Sequence, residues 1–264
     1  MNLNDVNSTN CFGKILKSKG YGDFRVLKYN NCADVEVEFL ATGFTKSFQM
    51  SKIKKGAIKD PFHPSFLGVG ILGDRYPTTG DGSKHLKHYE VWSDMLKRCY
   101  SHRFQKLFST YYSVEVSDDF KFYPYFYEWC EKQVGFNRTG SNLKSWCLDK
   151  DILVKGNKVY SADTCCFVPN EINCLFTKTN KLRGKYPIGV YYDTTKKKFI
   201  SQINRNNDKG CQEYLGAYDC PEEAFQVYKK AKELYIKEVA NKWKDQIDPR
   251  VYEAMMCYEV EITD

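Results

Sequence analysis

Five residues constrain the carboxyl half of this chain. Ala224, Tyr228, Ala231, Tyr235 and Val239 recur at intervals of three or four between Pro221 and Trp243. That spacing lines them along one stripe of a single long helix, and such a helix needs an apolar surface to lie on. Pro221 suits a first turn because the N–H it lacks would be orphaned there, and Glu222 and Glu223 complement the helix dipole. Cys220 holds the nominal capping position; it is a weak acceptor, and Asp219 is the alternative. Before the helix, residues 186–192, 198–205 and 212–218 read as three strands with short polar connections. A sheet follows with one face on the helix and the other free to meet a partner. Phe199, Ser201 and Ile203 are expected to face the helix, and Lys198, Ile200, Gln202 and Asn204 to face outward.

The rest of the chain has a different texture. Residues 11–60 read as short strands, with Val35, Val37 and Phe39 alternating with Glu36 and Glu38 in the period of a half-buried strand. A small open β-barrel of about fifty residues, in a domain over residues 1–75, is the expectation. A loop rich in Gly, Pro and Thr, residues 60–83, is the linker candidate. Residues 89–100 carry Val91, Trp92, Met95, Leu96 and Cys99 at helical spacing. Residues 120–133 read as one aromatic helix, in which Pro124 is tolerable only in the first turn. Residues 146–152 and 159–168 read as extended, and a helix starts at Pro169, giving the order β-β-α. The fold class is therefore α+β: N-terminal β-barrel, central helical and β-β-α core over 84–180, three-stranded sheet plus helix over 183–244, and an acidic C-terminal tail over 245–264.

Composition narrows the setting. Charged residues make up 28% and hydrophobic ones 42% of 264 residues, as in folded water-soluble proteins. No window approaches the ~20 apolar residues of a membrane span, and the first ten residues lack the apolar core of a signal peptide. The eleven cysteines are odd in number and contain no CxxC, so they read as reduced thiols rather than staples or zinc ligands. A cytoplasmic location is the expectation.

The net charge of +7 is uneven. The last twenty residues hold six acids against one base, Arg250, whereas residues 178–210 hold nine bases against two acids. Such a basic segment attracts polyanions, and phosphate contacts dominate nonspecific nucleic-acid affinity.

The run GVYYDTTKKKFISQI followed by EYLGAYDCPEEAFQVYKKAKELYI resembles the ethylene-response-factor (apetala-two) type of DNA-binding domain, over about residues 183–243. The resemblance implies a sheet inserted in the major groove, reading base edges from the face away from the helix. It implies base-facing positions at Ile188, Tyr191, Asp193, Gln202, Asn204 and Tyr214. Arg183, Lys185, Lys196, Lys197, Lys198 and Arg205 would suit phosphates. The Arg, Trp and Glu common in the plant domains are replaced here, so the sequence preference implied is a different one.

The preceding blocks, HYEVWSDMLKRCY, VEVSDDFKFYPYFYEW and LDKDILVKGNKVYSADTCCFVPNEIN, resemble phage and mobile-element HNH homing endonucleases that carry such a domain as a tail. This implies cleavage of phosphodiester bonds in duplex DNA with a divalent ion, Mg²⁺ first among them. Asp149 falls at the metal-ligand position, with Asp163 and Thr164 at the helix-proximal one. Lys150 stands where the general-base His is usual, Asn157 matches the residue that braces the loop, and Asp151 is a substitute base or second ligand. His85 and His88 are further candidates for the base. A phage-encoded endonuclease acting in a bacterial host cytoplasm is one reading; a catalytically inert, sequence-specific DNA-binding protein is the other.

Overall fold

A computed structural model describes residues 12–139, 145–177, 185–205 and 212–262. The protein is of mixed α+β class and resolves into two compact units. One comprises residues 1–131 with 159–162, the other 132–158 with 163–264. The boundary falls inside the segment 84–180. No helix among the described residues is long and apolar enough to cross a membrane.

The first unit begins with four strands, β1 (Ile15–Ser18), β2 (Gly22–Asn31), β3 (Asp34–Phe39) and β4 (Thr45–Phe48), each antiparallel to the next. The alternation read from the sequence is realised: Val35, Val37 and Phe39 are buried while Glu36 and Glu38 are not. Leu16, Phe24, Val26 and the short helix α1 (Met50–Lys54) complete this core through Met50 and Ile53. The expected barrel is not formed. The sheet order is β1-β2-β3-β4, an open meander whose two outer strands do not pair with each other. The covering of one face by α1 and Ile58 makes closure unnecessary.

The helical part of this unit holds α2 (Lys87–Tyr100), α3 (His102–Leu107), α4 (Asp118–Lys121) and α5 (Tyr123–Glu131). The single helix expected over 120–133 is broken at Phe122, which is extended. The break has a backbone reason. Tyr123 N–H donates to Ile71 O, and Lys121 O accepts from Ile71 N–H, so the loop before α2 bridges the two helices. Pro124 then sits in the first turn of α5. Residues 60–83, read as a linker, are thereby packed into the unit, with Phe62 stacked on Phe122 and Tyr76 on Tyr127. Of the aromatics in this region, Phe120, Tyr123, Phe126 and Trp129 are buried, and Trp92 Nε1 donates to Phe120 O at 2.9 Å. A two-residue strand, β5 (Glu115–Val116), pairs in parallel with Val159–Tyr160 (β7).

In the second unit β6 (Cys147–Asp149) is antiparallel to β8 (Cys166–Val168), and α6 (Asn170–Phe176) follows with Pro169 at its N-cap. Both strands are shorter than expected. The C-terminal module consists of β9 (Val190–Asp193), β10 (Lys198–Asn204), β11 (Gln212–Tyr218) and α7 (Pro221–Trp243). β10 is central and antiparallel to both neighbours. Cys220 caps α7, its Sγ accepting from Glu223 N–H at 3.5 Å. The buried stripe is wider than the sequence reading, adding Phe225, Ile236 and Ala240.

The acidic segment 245–264 is not a bare tail. It contains α8 (Pro249–Met256), packed on α7, with Ile247, Val251, Met255 and Val260 buried. Glu171 joins α6 to α7 by accepting from Lys242 Nζ and Trp243 Nε1 at 2.7–2.8 Å.

Candidate functional site

Two neighbourhoods of the second unit hold the residues singled out from the sequence. The first is the sheet of the C-terminal module. Ile200 pairs in register with Tyr191 on one side and Ala217 on the other, and Gln202 pairs with Tyr214. Cross-strand partners share a face, so Tyr191, Gln202 and Tyr214 stand together. Tyr191 is 43% exposed and Tyr214 59% exposed, so this face is open. α7 packs on all three strands and therefore covers the other face, where Ser201 and Ile203 are buried. A β-bulge between Ser201 and Gln202 gives β11 an extra residue, Leu215.

Ile200 departs from expectation. It lies on the open face yet is 1% exposed. It occupies the central strand, in register with Tyr191 and Ala217. The open face thus has an apolar centre with tyrosines around it.

Charge surrounds this face. Lys196 Nζ lies 5.6 Å from the centroid of the Tyr214 ring, a cation–π contact. The turn that presents Lys196 and Lys197 is held by Asp193, whose Oδ1 accepts from the N–H groups of Thr195 (2.9 Å) and Lys196 (3.0 Å). Lys197 adopts φ 53°, the left-handed conformation that closes the hairpin. Lys185 is exposed, as is Asn204. Lys198 is engaged with the Asp219 carboxylate. Arg205 is placed between Glu213 (2.8 Å) and Glu238 (3.0 Å), so its charge is already answered within the protein. Arg183 lies outside the described residues.

The second neighbourhood is the turn after β6. Asp149 ends the strand because Oδ1 accepts from the N–H groups of Asp151 (2.9 Å) and Ile152 (2.8 Å), curling the chain back. Oδ2 accepts no hydrogen bond among the described residues. Burial first, and the neighbouring Asp151 second, push the Asp149 carboxyl up to about 6, against the pull of the two backbone N–H groups and Lys150. Lys150 Nζ donates to Asp151 Oδ2 (2.8 Å) and to Asn157 O (3.1 Å), and Asn157 Nδ2 donates to Lys150 O (2.7 Å). Lys150 and Asn157 therefore clasp the two ends of the 150–157 loop reciprocally. The lysine side chain in this clasp is 11% exposed.

Asp163 is exposed and Thr164 half-buried at the approach to β8. Among the described residues, no three His, Cys, Asp or Glu side chains gather as a metal-holding group. Arg250 was not singled out from the sequence. It lies at the start of α8, clamped on Asp248 at 2.8–3.2 Å, and feels the charge of Asp163. Cys166, opposite Asp149 across the strand pair, is held protonated by burial and by Asp149. A base in an acidic segment gave no sequence signal, because its importance comes from how α8 folds back.

His85 and His88 belong to the first unit. His88 stacks on Tyr127 at 3.8 Å and its Nε2 lies 2.6 Å from Glu131 Oε1; His85 Nδ1 is 3.4 Å from Thr78 O.

Compared with known proteins, the chain matches no protein-family model, no curated protein and no solved structure.

Proposed function

We propose that this protein binds duplex DNA through the open face of its C-terminal sheet and is an endonuclease of the HNH type. The observation that carries the binding reading is that open face: Tyr191 in register with Ile200, and Gln202 with Tyr214, on a strand ribbon whose other side is occupied by α7, with Lys196 laid over Tyr214. A ribbon of this kind fits the major groove, where Gln and Asn side chains pair with adenine and lysines take phosphates. Lys196, Lys197 and Lys185 are the better phosphate contacts, since Arg205 and Lys198 already face carboxylates.

The nuclease part rests on the β6–β8–α6 arrangement and Asp149. The residues fit a divalent ion of the Mg²⁺ class in a limited way: Asp149 Oδ2 is an oxygen it could take, and such ions are commonly held by one or two carboxylates with substrate phosphate completing the shell. Bound there, the ion would stabilise negative charge on the departing oxygen. Among the described residues Asp163 joins no group of three His, Cys, Asp or Glu side chains. Lys150, paired to Asp151 and clasping Asn157, holds the loop rather than accepting a proton; Asp151 keeps an exposed carboxylate edge and is the better base.

A second reading, binding without cleavage, is favoured by that same engagement of Lys150 at the position of the usual histidine. Purified protein incubated with supercoiled plasmid and Mg²⁺ or Mn²⁺, beside Asp149→Ala, separates the two. Nicking by the parent and none by the variant supports the enzyme; no nicking with either metal rejects it. Lys196→Ala combined with Lys197→Ala tests the sheet, and unchanged affinity for duplex DNA would reject its role.

A further inference from the structure

The first unit carries a basic and aromatic projection that the reading above does not use. From Met95 to Val114 the sequence contains no acid, while Arg98, His102, Arg103 and Lys106 fall within it. α3 starts at the Ser101 cap, whose Oγ accepts from Phe104 N–H. Its end and the short turn after it expose three large side chains: Leu107 is 61%, Phe108 51% and Tyr112 57% exposed. These are not loose. Phe104 packs on Phe108 at 4.8 Å and on Tyr111 at 5.6 Å, so the projection is a small rigid aromatic cluster. Apolar side chains exposed together in this way ordinarily mark an interaction surface.

Arg98, at the base of the projection, is the second observation. Arg98 is half-buried, and Nη1 donates to Tyr160 Oη at 3.5 Å. Among the described residues no carboxylate lies within ion-pair distance of it, nor of Arg103 or Lys106. A guanidinium carries five donors in a fixed fork suited to phosphate, and here one long hydrogen bond uses one of them.

We infer that this segment is a second contact to duplex DNA, in which Arg98, Arg103 and Lys106 take backbone phosphates and Phe108 and Tyr112 press against the bases. Apolar wedges flanked by arginine or lysine bind nucleic acid in this manner, unstacking a base step while the charges grip the backbone. The charge argues for this occupant over a second copy of the chain, because self-pairing of the surface would set Arg103 and Lys106 against their own like charges. The inference takes its ligand class from the reading above but uses none of the same residues.

The test uses the full chain and a mixed-sequence duplex carrying 2-aminopurine, with binding followed across a salt series. Arg103→Ala with Lys106→Ala is expected to lower the slope of log affinity against log salt by about 2, since each phosphate contact contributes about 0.9. Phe108→Ala is expected to weaken binding about tenfold and to abolish the rise in 2-aminopurine fluorescence that unstacking gives. All three side chains are exposed, so the variants should melt like the parent. Parental slope, affinity and fluorescence in these variants would overturn the inference. So would a change of sedimentation on Phe108→Asp with DNA binding intact, which would make the patch an interface between copies. Lys196→Ala with Lys197→Ala, measured alongside, keeps the two readings apart: parental binding there removes the sheet and leaves the α3 contact standing. If the parent fails to bind duplex at low salt, both fall.

Discussion

Gly189→Ala tests the placement of the sheet's closed side. Gly189 adopts φ +76°, and a Cβ built on it would lie 2.0 Å from Tyr228 Cδ2, with two further ring carbons within 2.5 Å. The left-handed conformation alone costs an L-residue about 1–2 kcal/mol. Forcing the ring aside adds about 1–3 kcal/mol, the usual penalty for an extra methyl in a packed interior. The expected loss is therefore about 2–5 kcal/mol. At roughly 3 °C per kcal/mol for a chain of this size, the melting temperature falls by roughly 6–15 °C. Urea unfolding followed by far-ultraviolet circular dichroism measures the change in midpoint. The decisive comparison is the same substitution in a Tyr228→Ala background, where only the backbone part, about 1–2 kcal/mol, should remain. An equal cost in both backgrounds would refute the reasoning, as Tyr228 of α7 would then not lie against the entry to β9.

Three further outcomes are expected. Asn157→Ala removes the hydrogen bond to Lys150 O and leaves that half-buried carbonyl unanswered, costing about 1–3 kcal/mol in urea titration; Asn157→Asp, which keeps the shape but not the donor, should cost a similar amount. Met255→Ala opens the α7–α8 contact and should cost about 2–5 kcal/mol, whereas an unstructured tail would give no change. Burial holds the His88 imidazole below its ordinary range despite the Glu131 hydrogen bond. The stability this implies is present above about 6.5 and is lost as pH falls through the folded value; His88→Gln should flatten the dependence of the urea midpoint between pH 7 and 5, and an unaltered profile would contradict it.

Local signals in the sequence located much of the fold. α7 begins at Pro221 and ends at Trp243 because a proline, two acids and a continuous apolar stripe agree on one answer. The β3 alternation was equally plain, since Glu36 and Glu38 leave only one face for the core. What failed depended on partners distant in sequence. The break at Phe122 is made by Ile71, which closes the backbone of both helix ends, and nothing near Phe122 signals it. The strand pair joining Val116 to Tyr160 is likewise nonlocal. Ile247, Val251 and Met255 recur every four residues as one helix face, set within an acidic composition that suits a solvated tail equally well. At the candidate site, Asp149 and Asn157 stand out by motif alone, while the engagement of Lys150 and Arg205 with carboxylates needs three dimensions. Arg250 was missed for the same reason.

The central claim, that the ribbon of β9, β10 and β11 meets duplex DNA, is tested most directly by photocrosslinking the full chain to a mixed-sequence duplex containing 5-iododeoxyuridine and mapping the adducts by mass spectrometry. Adducts on Tyr191 or Tyr214 are the result expected. Efficient crosslinking that bypasses both tyrosines, with adducts confined to other parts of the chain, would contradict it.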